Sequence, residues 1–312
     1  MARCTGCVGP SPWASFSVRT EVERVQPSSR TNRRRRTRHP QCRGEGSRLC
    51  RCGGFIEGCM AAAKDNHPER RPKPPAAQPR NLCTFAPPEQ EPQIKFGLPT
   101  IIEETRHWIA LDKPPGLSVE RNPWEPSLED EVWKHLEARQ RKVYLGIVHR
   151  LDKVTSGVLL MAKKKSALKK LNEQFRQRRV EKTYLALTDQ PPPTDSGRLR
   201  HWLKKDSPNK RSLIFSTPQE GAAEVELRFR YLGCPAGYHL LELQPREGKF
   251  HQIRAQLAAA GLPIVGDEKY GSFAAYAGAG IALHAWRLRF FDPETGEPVI
   301  LKTPPPFQVL ED

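Results

Sequence analysis

The run His149-Arg150-Leu151-Asp152-Lys153 forms a polar turn between two apolar stretches, followed at once by Thr155, Ser156 and Gly157. A single carboxylate in so basic a setting has three uses: a turn or cap acceptor, an ion-pair partner, or a nucleophile. Local sequence favours an Asx turn, with Asp152 accepting from the turn amides and from Thr155 or Ser156. Its position at a strand end favours chemistry, because functional side chains concentrate on loops held by rigid elements. Two distant stretches bear on the choice. His251 and Arg254 are three apart and share one face of a helix. A buried Arg254 requires a carboxylate, and Asp152 and Asp267 are the candidates. In the alternating run Val180-Glu181-Lys182-Thr183-Tyr184, Lys182 and Tyr184 point to the same side of a strand. Taken by itself, Tyr184 reads as an ordinary sheet tyrosine.

These residues need elements to position them. Residues 108–113 read as a strand that ends in a turn at Pro114-Pro115-Gly116. A helix is expected over 127–139, with Ser127 as N-cap and Leu128, Val132 and Leu136 on one face. Strands at 144–148 and 158–162 flank the Asp152 turn. A second helix covers 166–178 and another strand 181–188. A third helix covers 251–261, with Gly261 at C′. Further strands fall near 223–232, 238–245, 285–292 and 298–302. Strands outnumber helices and short turns join many of them, which gives an α+β fold with a largely antiparallel mixed sheet and flanking helices.

The chain has 312 residues, with 51 Lys and Arg against 35 Asp and Glu, a formal charge of +16 and a pI near 9.7. That balance calls for an anionic partner, nucleic acid or an acidic membrane surface. Apolar runs fall short of the roughly 18 residues of a membrane span. Seven of the eight cysteines lie in the first 83 residues, at intervals too irregular for a tetrahedral zinc site, so no metal is expected.

The ordered set of 108–119 (WIALDKPPGLSV), 149–163 (HRLDKVTSGVLLMAK), 181–187 (EKTYLAL) and 251–271 (HQIRAQLAAAGLPIVGDEKYG) resembles the RluA family of RNA pseudouridine synthases over about residues 98–303. The resemblance implies a pseudouridine synthase fold with a central RNA-binding cleft. It also implies isomerisation of uridine in ribosomal or transfer RNA by detaching the base and rejoining it through carbon 5. Asp152 falls on the family's catalytic aspartate, Tyr184 on its active-site tyrosine and Arg254 on the arginine paired with that aspartate. Arg150 matches the arginine that fills the space left by the everted base, and His149, Lys182, Lys249 and His251 are the further candidates for RNA contact. No cofactor is implied, since base exchange within one nucleotide is neither a redox nor an energy-consuming step. An ionised carboxylate beside an arginine suits that chemistry.

The sequence departs from the family at Gly248-Lys249-Phe250, where Gly-Arg-Thr is frequent; Lys keeps the charge but not the forked contacts of Arg. Residues 94–312 are expected to form the catalytic domain and 61–93 a Pro-rich linker, without the S4 domain of many relatives. Residues 1–60 contain 12 arginines and no lysine. They read as a disordered arm, a transit-like peptide or a non-native leader before Met60, the last being favoured. A monomer acting on RNA without a membrane partner follows, in the cytoplasm, or in the mitochondrion if the Arg-rich leader is an address. A shortened chain beginning at Met60 is expected to keep full activity in a base-exchange assay.

Overall fold

A computed structural model describes residues 21–24 and 97–307. The chain divides into two units, Met1–Ser28 with Ile94–Asp312, and Ser29–Gln93. All described residues belong to the first unit. The leader and linker expected over 1–93 lie outside the described residues, apart from the four at 21–24.

The described residues form a twelve-stranded mixed sheet with three α-helices. The strands are β1 (Glu21–Arg24), β2 (Ile101–Glu104), β3 (Trp108–Lys113), β4 (Gly146–Ile147), β5 (Ser156–Ala162) and β6 (Glu181–Thr188). They continue with β7 (Ser196–Asp206), β8 (Arg211–Phe215), β9 (Ala223–Gly233), β10 (His239–Pro245), β11 (Leu283–Phe291) and β12 (Pro298–Lys302). The helices are α1 (Leu128–Glu137), α2 (Lys165–Arg176) and α3 (Gln252–Ala259). The main path runs β2-β3-β5-β11-β6-β10-β9-β7-β8; β4 pairs with β5, and β12 pairs with β11 and β1.

Every pairing is antiparallel except β5 with β11, which run parallel through Ser156↔His284 and Ala285↔Gly157. This seam joins the Asp152 side of the sheet to the rest. Gly157 has φ +114°, and a Cβ there would sit 2.4 Å from the Ala285 carbonyl oxygen, so only glycine lets the two backbones approach. A buried polar chain ties the seam together. Ser156 Oγ pairs with His284 Nδ1 at 2.9 Å, His284 Nε2 donates to the Thr303 carbonyl at 2.9 Å, and Thr303 Oγ1 donates to Asp112 Oδ2 at 2.6 Å. Burial holds the His284 pKa down to about 4, against the pull of its Thr303 bond, so the ring is neutral and donates at only one end.

Strands β3 and β5 are buried on both faces, which explains why Val158-Leu159-Leu160-Met161-Ala162 is unbroken apolar sequence. Trp108, Ala110, Val158 and Leu160 pack with Ala167 and Leu171 of α2. Ile109, Leu111, Leu159 and Met161 pack with Leu128, Val132 and Leu136 of α1. Ser127 caps α1 by accepting from the Asp130 amide at 3.1 Å. Helix α3 covers the other end of the sheet, with Ile253 and Leu257 against Leu227, Leu241 and Leu243. Gly157→Ala forces both a positive φ and a backbone collision, and is expected to cost about 2–5 kcal/mol, read as a lowered midpoint in thermal or urea unfolding.

Candidate active site

Asp152 lies on the loop between β4 and β5, and that loop is clamped from three directions. Gly116 N–H donates to the Lys153 carbonyl at 2.7 Å, Lys113 Nζ reaches the same carbonyl at 3.2 Å, and Ile281 N–H donates to the Val154 carbonyl at 3.2 Å. The Asx turn favoured by local sequence is not how the side chain is used. The Thr155 amide bonds the backbone carbonyl of Asp152 at 3.0 Å, the Thr155 hydroxyl is buried without a partner, and Ser156 turns to His284. The carboxylate stays free of the turn.

It is met instead by Arg254, whose Nη1 lies 3.2 Å from Asp152 Oδ2. Arg254 is fixed from behind, because Asp267 accepts its Nε at 2.7 Å and its Nη2 at 2.8 Å in a bidentate pair. Both expected carboxylate partners are therefore real, with different duties. Burial opposes the Arg254 charge, but its bonds to Asp267 and then Asp152 outweigh it and raise its pKa. The side chains of Asp267 and Arg254 are 1% and 6% exposed, whereas Asp152 is 25% exposed, so the acid alone faces outward. Among the described residues Asp152 Oδ1 receives no hydrogen bond, since the contacts of Arg254 and His251 both go to Oδ2. That oxygen is the unengaged one of the pair.

His251 stands at the N-terminus of α3 with left-handed backbone, φ 50°. Its Nε2 is 3.7 Å from Asp152 Oδ2, and its Nδ1 is 3.0 Å from Tyr270 Oη. Tyr270 Oη also accepts the Ser212 amide at 2.7 Å, and a bond donated by its hydroxyl to His251 Nδ1 leaves the imidazole proton on Nε2, toward Asp152. Burial, only partly offset by Asp152, holds the His251 pKa down to about 4. The ring is neutral, and Phe250 stacks on it with centroids 3.8 Å apart.

Tyr184 on β6 is half-buried between two core clusters. Burial, reinforced by the Asp152 charge, pushes its hydroxyl above the ordinary tyrosine range, so it stays a neutral phenol. Lys182, two residues earlier, donates to the Glu247 carbonyl at 3.2 Å, and burial lowers its pKa. Arg150 is exposed, with Nη1 2.7 Å from Glu120, and Lys249 is exposed on the loop before α3. His149, expected among the RNA contacts, is occupied by packing. Its Nε2 accepts the Leu160 amide at 3.0 Å and its ring stacks on Phe175, while burial brings its pKa down to about 3. Leu283 is a core residue.

Lys113 escapes sequence reasoning, hidden as the last residue of an apolar strand. Its side chain is fully buried, donates to the Pro114 carbonyl at 2.8 Å, and is bracketed electrostatically by Asp152 and Asp112. Burial brings its pKa from 10.5 to about 7, with the two carboxylates pulling the other way. Between about pH 7 and 10.5 the unfolded chain therefore binds more protons at this residue, so its contribution makes the fold more stable as pH rises through that window. Lys113→Met removes the slope. The melting temperature of the variant minus that of the parent is expected to be more positive at pH 6 than at pH 9; an equal difference at both would count against a buried ammonium.

Residues 107–259 match the family model described as RNA pseudouridylate synthase. The ribosomal large subunit pseudouridine synthase C of Escherichia coli is 36% identical over 213 residues, covering 65% of this chain and 66% of the relative. The corresponding synthase D of Borreliella burgdorferi is 33% identical over 178 residues, covering 55% of this chain and 54% of the relative. This chain thus spans about half to two thirds of the length of the curated relatives it matches. The solved structure of human RNA pseudouridylate synthase domain containing 1 superposes with a TM-score of 0.55 at 27% identity, covering 67% of this chain and 84% of that one. Human domain containing 4 shares the fold, at TM-score 0.56, 23% identity, and 66% and 88% coverage.

Proposed function

The chain belongs to the RluA family of RNA pseudouridine synthases, and from that premise we propose that it isomerises specific uridines of ribosomal or transfer RNA to pseudouridine. The observation that supports this most is the one-sided capture of Asp152. Arg254 and His251 both address Oδ2, and Oδ1 remains open at the surface. An everted nucleotide reaching this oxygen meets a carboxylate positioned for covalent attack. Arg254 cannot follow the nucleophile, because Asp267 holds the rest of its fork.

Tyr184, a neutral phenol beside the acid, is suited to stack on the uracil and keep the detached base from leaving, while the carbon-5 proton is lost to water. Arg150 is exposed, and its ion pair with Glu120 is exposed on both sides and costs little to break, so the guanidinium is free to enter the space that the extruded base vacates. Substrate and product are isomers, so the proposed reaction draws on no cofactor. One chain supplies Asp152, Tyr184 and Arg254, so a monomer suffices. Cytoplasmic RNA is the proposed substrate pool, with the mitochondrial alternative resting on the leader.

The surface charge fits an RNA partner. Glu226 is bonded by both Arg200 and Arg228, and Glu247 lies within 3.8 Å of both Arg178 and Arg246, so two arginines surround each carboxylate and a net positive field remains. A ribosome-assembly factor that binds RNA without modifying it would have no use for the open Oδ1. The protein is expected to release tritium from ribosomal or transfer RNA labelled at uracil carbon 5. Asp152→Asn should lower that release by about a thousandfold or more at an unchanged melting temperature. No release by the parent protein, or retained release by the variant, overturns the assignment.

A further inference from the structure

Trp124 has no place in the mechanism so far, yet its environment is specific. The residue is 89% exposed, whereas the other described tryptophans, Trp108, Trp133, Trp202 and Trp286, are all at least half-buried. A tryptophan serving the fold would be covered. The segment that carries it is held in shape. Ser118 and Ser127 form a bridge that closes the loop, and Pro123 and Pro126 fix two backbone torsions around Trp124. The Asn122 side chain accepts the amides of Trp124 and Glu125 at 3.0 and 2.9 Å, and Arg121 is anchored to Glu129 and Asp130 at the start of α1.

The same loop is attached to the catalytic loop on both sides of the nucleophile. Glu120 pairs with Arg150 at 2.7 Å, and Glu125 pairs with Lys153 at 2.6 Å; these cations lie two residues before and one residue after Asp152. The exposed indole therefore sits on a preformed loop whose position follows that of Asp152. Both tethers are exposed ion pairs, 61% and 55% for one, 49% and 50% for the other, so Arg150 can turn to the vacated base space and Lys153 to a phosphate at small cost without dismantling the Asn122 turn.

We propose that Trp124 is a stacking platform for an unpaired RNA base neighbouring the everted uridine. An indole face accepts any base, so it contributes affinity and fixes the strand without demanding a sequence, and its rigid loop lowers the ordering cost of binding. The inference rests on the proposed RNA substrate, and its test separates the two. With a large-subunit ribosomal RNA transcript labelled at uracil carbon 5, Trp124→Ala is expected to raise KM about 5- to 100-fold with kcat within about twofold of the parent, and Trp124→Phe to restore most of the loss. The dissociation constant of the unlabelled transcript, measured in the Asp152→Asn background, should rise by a similar factor at an unchanged melting temperature. Unchanged KM and dissociation constant in Trp124→Ala overturn the proposal, as does a Phe variant no better than Ala. Absence of tritium release by the parent strikes the isomerase reading alone, because the binding comparison is read without turnover.

Discussion

The site depends on a division of one guanidinium between two acids. Arg254 gives two N–H groups to buried Asp267 and one to partly open Asp152. A guanidinium free to choose could form its bidentate pair with Asp152 and occupy both of its oxygens. The fork on Asp267 prevents this and leaves Asp152 a single charge-assisted contact at 3.2 Å. The surroundings preserve the arrangement: α3 carries Arg254, the loop after α3 carries Asp267, and the clamps from Lys113, Gly116 and Ile281 hold the Asp152 loop against both.

Around this pair, burial decides which groups carry charge. His251 and His284 are neutral because the interior disfavours imidazolium, and Tyr184 is neutral because the interior and the neighbouring Asp152 charge both disfavour phenolate. Lys113, pressed down to about 7, is the buried group balanced between its two forms near neutrality. Charged and neutral groups thus sit side by side in one site, with Asp152 less covered than the Arg254 and Asp267 side chains it faces.

Much of this was legible in the sequence. The three helices, Ser127 as a cap and Gly261 at C′ all occur where apolar spacing and capping chemistry put them; α1 buries the single stripe Leu128, Val132 and Leu136, whereas α3 is buried from Gln252 through Leu257. The demand of Arg254 for Asp152 or Asp267 was readable from the cost of burying a lone cation. What failed to show was the hairpin β7–β8. Its exposed residues include Arg198, Arg200, Lys204 and Arg211, and few of its side chains are buried, so it lacks the apolar period of a strand. His149 misled for the opposite reason: beside Arg150 in a polar turn it reads as a ligand, and only the fold shows its lone pair directed to the Leu160 amide. Lys113 was invisible because sequence does not reveal that a lysine following an apolar strand is fully enclosed.

The parallel seam carries a consequence for the order of events in synthesis. Ser156 and His284 touch across 128 positions of chain, and Gly157 closes on Ala285 in the same place. Contacts so remote in sequence form late, after the loop-closure entropy has been overcome. A nascent polypeptide that has not yet delivered β11 has nothing to dock against Ser156 and Gly157, the residues that end the Asp152 loop. The seam at the end of the Asp152 loop therefore closes only once β11 has been synthesised and has emerged from the ribosome.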